Sequence, residues 1–391
     1  MRKYLDPLTG LRGVAAYSVL VAHATHSSFP YYSHELAFQR LSAFGMSLFF
    51  VLSGFVIYYN YAEMFRRESL ASAGWKFFAA RFARLYPLYA VSIIIALPHV
   101  PAPAFDGHPW VLLSYLTLTQ SWFNTLWTVF QPAWSISTEW FLYLVFVPLL
   151  WIVRPWKPSV STLLAYCAAA ALTLYLLLGV FVEPLKAVVR EQLYVNPQIS
   201  VEPLAWLGYF GAPVRVFEFV AGLLSARAYM ALRDSDLSGS RWVFILAPLW
   251  CAAVILIEPL TTGNVLLGNF IFAPALAPFM LYVCRAPGHW FGRMLSSRPL
   301  QFMGDISYSV YVWSFFVLDA LTNTFKSAEP SIEGIINSVL RVVVAVGLTT
   351  VFAYGSFVLI ENPSRRWLRA VLTGSRAKAG AAAAESQRST T

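Results

Sequence analysis

Apolar residues in this 391-residue chain gather into long runs separated by short polar breaks. A helix needs about 20 apolar residues to cross a bilayer. Ten runs approach that length, at 9–29, 42–60, 84–100, 134–153, 161–182, 213–231, 242–258, 265–284, 305–323 and 336–360. The pattern predicts an all-α, polytopic transmembrane helical bundle of about ten spans. The stretch 109–133, "PWVLLSYLTLTQSWFNTLWTVFQPA", is apolar and aromatic but broken by Asn124 and Pro132. It reads as a helix or re-entrant loop on the outer side, not as a span. The end of the chain, small, polar and alanine-rich from Gly374, has the composition of a disordered tail. The division expected is a membrane-embedded domain over 1–367 and a disordered cytoplasmic tail over 368–391.

Composition agrees with the pattern. Hydrophobic residues make up 58% of the chain and charged residues 12%, against about 25% charged in an ordinary soluble domain. The net charge of +9 would raise the question of nucleic acid in a soluble protein. Here its placement matters more. With the N-terminus inside, the inner segments are 1–12, 61–84, 154–160, 227–241, 285–304 and 361–391. They hold all of the 28 Lys and Arg except Arg40, Lys186, Arg190, Arg215, Lys326 and Arg341. Lysine and arginine favour the cytoplasmic side, so both termini are expected there, with the bilayer and not nucleic acid as partner. Arg2, Lys3 and "AHA" at 22–24 resemble a secretory signal, but Arg12 interrupts the approach to an apolar stretch of only about nine residues. Cys167, Cys251 and Cys284 lie in or at the end of apolar runs and show no ligand or disulfide spacing. No internal repeat of the kind many transporters carry is visible.

The polar residues inside these runs carry the chemistry, because such groups are costly in hydrocarbon. In "LRGVAAYSVLVAHATH", Arg12 and His23 stand eleven positions apart. On a helix that spacing leaves them within about 20° on one face and about 16 Å apart in height. One bound molecule can touch both: an arginine at the inner mouth suits phosphate, and a neutral histidine suits proton transfer or nucleophilic catalysis. An interfacial anchor with a hydrogen-bonded core histidine is the plainer alternative. His26 follows one turn later, but no Glu, Asp or Cys set accompanies it, so no metal is expected. In "AWSISTEWFLYL", Glu139 is the acid of its span, at a depth matching His23. It would orient the imidazole, unless it pairs with Arg215 or Tyr143. Ser135 and Ser137 read as helix-start residues. In "FGMSLFFVLSGFVI", Gly45 and Gly54 permit close approach and Ser53 supplies a hydroxyl. In "ARFARLYPLY", Arg81 and Arg84 are one turn apart, either as anchors or as a phosphate clamp acting with Arg12. Asp319, near the end of the ninth run, is a functional acid or a water-facing one.

Taken together, "LRGVAAYSVLVAH", "GMSLFFVLSGFVI", "RFARLYP", "WSISTEWFLYL", "GDISYSVYVW" and "ENPSRRW" resemble the acyltransferase family 3 integral membrane proteins, the O-acyltransferases of bacterial surface glycans. The resemblance runs from residue 11 to about 367. It implies a ten-helix core in the bacterial inner membrane that takes an acyl group, by family frequency acetyl, from cytoplasmic acyl-CoA and delivers it to a sugar hydroxyl of a glycan or glycolipid acceptor. The family's arginine-then-histidine motif falls on Arg12 and His23, its paired arginines on Arg81 and Arg84, and its glutamate on Glu139. Arg12, Arg81, Arg84 and Ser53 then face the acyl-CoA, while His23 and Glu139 are the catalytic pair, His23 acting as base or as covalent acyl carrier. Ser314 stands where the family often has a histidine, which weakens any scheme needing a second histidine there. Some members carry a C-terminal hydrolase-like domain, which this sequence does not show. Acceptor transfer is therefore expected within the membrane domain or through a separate partner. A second copy of the chain is a further partner the sequence leaves open. The rival reading is a transporter or flippase of a lipid-linked sugar or other small solute, since intramembrane Arg, His and Glu also mark transport pathways. A sensory protein with a degenerate enzyme core, hinted at by Ser314 alone, is a third.

Overall fold

The computed structural model describes residues 5–28, 35–100, 109–123, 129–177, 206–232, 240–256, 270–324 and 332–374. The described residues are helical, with no strand among them. In chain order the helices are α1 (Asp6–Ser28), α2 (Glu35–Tyr61), α3 (Met64–Arg67), α4 (Leu70–Ala96) and α5 (Trp110–Leu116). Then follow α6 (Ala133–Val153), α7 (Val160–Leu174), α8 (Ala212–Ala231), α9 (Ser240–Leu256) and α10 (Ala273–Arg285). The last are α11 (Trp290–Leu295), α12 (Arg298–Asp305), α13 (Ser307–Thr324), α14 (Ile332–Ser356) and α15 (Asn362–Leu372).

Among the described residues, five helical stretches are long and apolar enough to cross a membrane: Arg40–Arg67, Leu70–His99, Ala133–Val153, Val160–Leu177 and Glu333–Leu372. They cover five of the ten expected runs. The other five correspond to α1, α8, α9, α10 and α13, which are shorter or more polar. Arg12, His23 and His26 dilute α1, and Arg215, Glu218 and Arg227 dilute α8. The run at 265–284 is described only from Phe270, and the tail from residue 375 lies outside the described residues. The outward faces are apolar: Ile336, Val339, Leu340, Val343 and Val351 of α14 and Ile245, Leu246 and Leu249 of α9 are exposed. Such a surface suits lipid, not water.

One boundary differs from expectation. The third run was placed at 84–100, but α4 begins at Leu70, where the Ser69 hydroxyl caps it by accepting from the Ser72 amide at 3.4 Å. Charged side chains do not end a helix whose other face is packed, and Ala73, Phe77 and Ala80 are buried. Arg81 and Arg84 therefore lie in the middle of a helix and not at its mouth.

The bundle is organised on α1 and α2. The first packs against α2, α12, α13 and α14, and α2 packs against α8. A Cβ built on Gly54 would overlap the carbonyl oxygen of Phe219, and one on Gly222 would overlap that of Val51. The two backbones are in direct contact, as small residues allow between membrane helices. Gly45 gives α2 the same intimacy with Ala15 of α1. The segment after α5 folds back onto α6: Ser121 and Ser137 hydroxyls are 2.8 Å apart and Gln120 Nε2 donates to the Ala133 carbonyl at 2.8 Å. This is a short helix and irregular chain, as its polar breaks predict. The three cysteines are buried free thiols.

Candidate functional site

Two cavities open beside α1, one toward each end. The first is small, about 80 Å³, and is lined by Arg12, Arg81, Arg84, Ser53, Glu139 and Ser307 among others. Residues from five sequence motifs thus meet there. Arg12 Nη2 donates to Ser307 Oγ at 3.1 Å. Arg81 Nη2 donates to Tyr61 Oη at 2.8 Å, and its guanidinium lies 5.1 Å from the Tyr61 ring centre and 5.7 Å from that of Tyr143. This cation–π cage holds the plane of the group fixed. Arg81 Nε is buried with no hydrogen-bond partner. Three guanidiniums around one cleft, one retaining an unused donor, suit an anion with several oxygens. The cleft is narrow beside its neighbour, about 80 Å³ against about 560 Å³.

The second cavity, about 560 Å³, is lined by His23, His26, Trp134, Tyr209, Ser314 and Asp319 among others. His23, His26 and Asp319 expose their side chains there. Its size falls within the range of about 300–1,000 Å³ typical of small-molecule sites, and the aromatic walls with a few polar groups suit a sugar-sized molecule. Ser314 Oγ is turned back to the Tyr311 carbonyl at 2.8 Å. Among the described residues no group of three or more His, Cys, Asp or Glu is placed to hold a metal ion.

The expected pairing of Glu139 with His23 is corrected. Glu139 accepts a hydrogen bond from Tyr143 Oη and lines the arginine cavity. Equal depth along two helices did not bring the two groups together: His23 lines the other cavity, and Met46 and Tyr311 stand between the two. Tyr311 of α13 accepts from Ser135 Oγ of α6 at 2.8 Å and borders both cavities. The alternative partner Tyr143 is the one found. Ser135 and Ser137 are consumed in internal hydrogen bonds.

Two acids were missed, Glu361 and Glu218, the latter as the partner of Arg215. Glu361, in "ENPSRRW", closes a π-helical turn over Phe357–Glu361, accepts from Ser309 Oγ at 2.7 Å and interacts electrostatically with Arg84 and Arg12. Only its place at the head of that motif marked it. Arg215 and Glu218 form a fully buried ion pair at 3.0 Å, 1% and 2% exposed. The guanidinium is ringed by Phe50, Trp134 and Tyr209, and Ser47 of α2 donates to Glu218. Their spacing of three on a helix was the available signal.

Long apolar helices enclosing an arginine-lined cleft and a histidine-lined chamber define a multi-pass membrane protein. More particularly, the chain belongs to the acyltransferase family: the acyltransferase domain matches residues 3–358. It is 23% identical over 393 residues to the peptidoglycan O-acetyltransferase OatA of Listeria monocytogenes, covering 93% of this chain and 56% of that protein. It is 30% identical over 246 residues to the acyltransferase MdmB of Streptomyces mycarofaciens, covering 57% of each. It is 23% identical over 341 residues to the exopolysaccharide production protein ExoZ of Rhizobium meliloti, covering 84% of this chain and 92% of that protein. The chain thus spans little more than half the length of the first two. No solved structure matches it.

Proposed function

We propose that the chain is a ten-span O-acyltransferase of the bacterial inner membrane, with both termini cytoplasmic. It moves an acyl group, acetyl, from cytoplasmic acyl-CoA to a sugar hydroxyl of a cell-surface or exported glycan. The observation that carries this reading is the pair of adjoining cavities, one with three arginines and the other with His23. The names of the relatives, which refer to peptidoglycan O-acetylation and exopolysaccharide production, support the acceptor class.

In this reading the phosphates of CoA rest at Arg12, Arg81 and Arg84, and the narrow pantetheine arm enters the small cavity. Glu139 and Glu361 balance the arginines and hold their geometry. The acceptor sugar occupies the larger cavity against Trp134 and Tyr209. His23 takes the proton of the sugar hydroxyl while that oxygen attacks the thioester carbon, and CoA thiolate leaves. In the covalent variant an imidazole nitrogen attacks first, releasing CoA thiolate, and the sugar oxygen then displaces the imidazole.

Purified protein supplied with labelled acetyl-CoA and a glycan extract tests the assignment. The expectation is label transfer that His23→Ala removes while CoA binding persists. CoA-independent movement of a lipid-linked sugar across vesicles, with no transfer, would establish the transporter reading instead. Label held on the protein without acceptor, absent in His23→Ala, identifies the covalent variant. Comparing envelope-glycan masses with and without the gene identifies acyl group and acceptor together.

A further inference from the structure

Met46 and Tyr311 line both cavities, and among the residues described along them no others do. They form the wall between the arginine cleft and the histidine chamber. The two halves of this wall differ in character. Tyr311 is 8% exposed, accepts from Ser135 Oγ at 2.8 Å and donates to the Pro132 carbonyl at 3.2 Å. Its ring meets Phe49 edge-on, with centres 6.4 Å apart. It is pinned at both ends. Met46 is 3% exposed and is an unbranched thioether with three rotatable bonds, a side chain that adapts readily.

We infer that Met46 and Tyr311 set the length of the acyl chain, admitting a two-carbon acyl thioester and rejecting chains of four carbons or more. The inference rests on the acyltransferase reading above. A thioester arriving from the arginine side must bring its carbonyl carbon to this wall to come within reach of the chamber beyond. The acyl chain then has only the space left between a fixed ring and one movable side chain. A methyl group fits when Met46 shifts; a propyl chain meets Tyr311, whose anchors prevent it from yielding. The large chamber does not relieve the restriction, because the wall stands before it.

The test uses the full-length protein in lipid nanodiscs with CoA, acetyl-CoA, butyryl-CoA and octanoyl-CoA as probes, read by calorimetric binding. Two added methylenes that meet a closed wall should weaken binding about tenfold or more, by analogy with one-methylene discrimination in enzyme pockets. The native protein is expected to prefer acetyl-CoA over butyryl-CoA by that factor. Met46→Ala and Tyr311→Ala are expected to abolish the preference, read in each variant as the ratio of acetyl-CoA to butyryl-CoA affinity. Tyr311→Phe, which keeps the ring but loses both anchors, should fall between. Met46→Ala removes one flexible side chain only, so the test survives if Tyr311→Ala fails to fold. A native protein that binds acetyl- and butyryl-CoA alike, or a Met46→Ala protein that binds CoA normally and keeps the native preference, overturns the inference. A native protein that binds none of the four overturns the acyltransferase reading itself, and the CoA control separates that result from the other.

Discussion

Arg81 is held by its surroundings more tightly than a surface arginine would be. Its guanidinium is stacked between Tyr61 and Tyr143 and bonded to the former. A hydrogen bond to a charged group contributes about 1.5–3 kcal/mol, so Arg81→Ala should weaken CoA binding by one to two orders of magnitude in a calorimetric titration. Arg81→Lys should restore little, because an ammonium cannot reproduce a planar, stacked donor fork. The Arg215–Glu218 pair makes the converse prediction. Breaking one partner of a fully buried pair costs about 3–5 kcal/mol, whereas replacing both by apolar residues is often neutral. Arg215→Met should therefore melt well below the native protein, and Arg215→Met with Glu218→Leu should recover most of the loss, as followed by thermal unfolding in detergent. At this scale the sequence was readable wherever one helix sufficed. The spacing of Arg12 and His23, and of Arg81 and Arg84, is fixed by helix geometry. The partner of Glu139 was not readable, since the choice between a neighbour one turn away and a group on another helix depends on packing, and Tyr143 was reached only as an alternative.

Contact between elements rests on missing side chains. α2 and α8 meet where Gly54 and Gly222 face the opposite backbone. Inserting even a methyl into such a contact costs typically about 1–3 kcal/mol. Gly222→Ala should lower the melting temperature and should do so with Ser47 and Glu218 intact, which separates helix spacing from loss of the ion pair. Gly74→Ala, at a helical position with open space around it, is the control and should raise the melting temperature slightly, since alanine favours a helix interior over glycine by about 0.5–1 kcal/mol. Close approach at Gly45 and Gly54 could be anticipated from their place in an apolar run. The partner helices could not, because sequence periodicity gives the buried face of a helix and not the neighbour it meets. The start of α4 was misplaced for a related reason: hydropathy marks where lipid begins, whereas the Ser69 cap marks where the helix begins.

Across the whole molecule, the distribution of arginine and lysine predicts that both ends of the chain face the cytoplasm. Reporter fusions at residue 374 and in the 178–205 segment should report opposite sides of the membrane; the same side for both would break the ten-span arrangement. Overall helical character and membrane class were plain in the apolar runs, while the division of the interior into two cavities was not, because it arises from α2 and α13 side chains converging from distant parts of the chain. That division has an electrical consequence. An arginine-lined vestibule joined without interruption to a hydrated chamber would be a conduit through the bilayer, and ions or protons would leak down their gradients. On the proposed topology, the thioether and phenol side chains that part the two spaces would close that path as hydrophobic constrictions close channels. Removing both should give measurable conductance in a planar bilayer, and the intact protein should be silent.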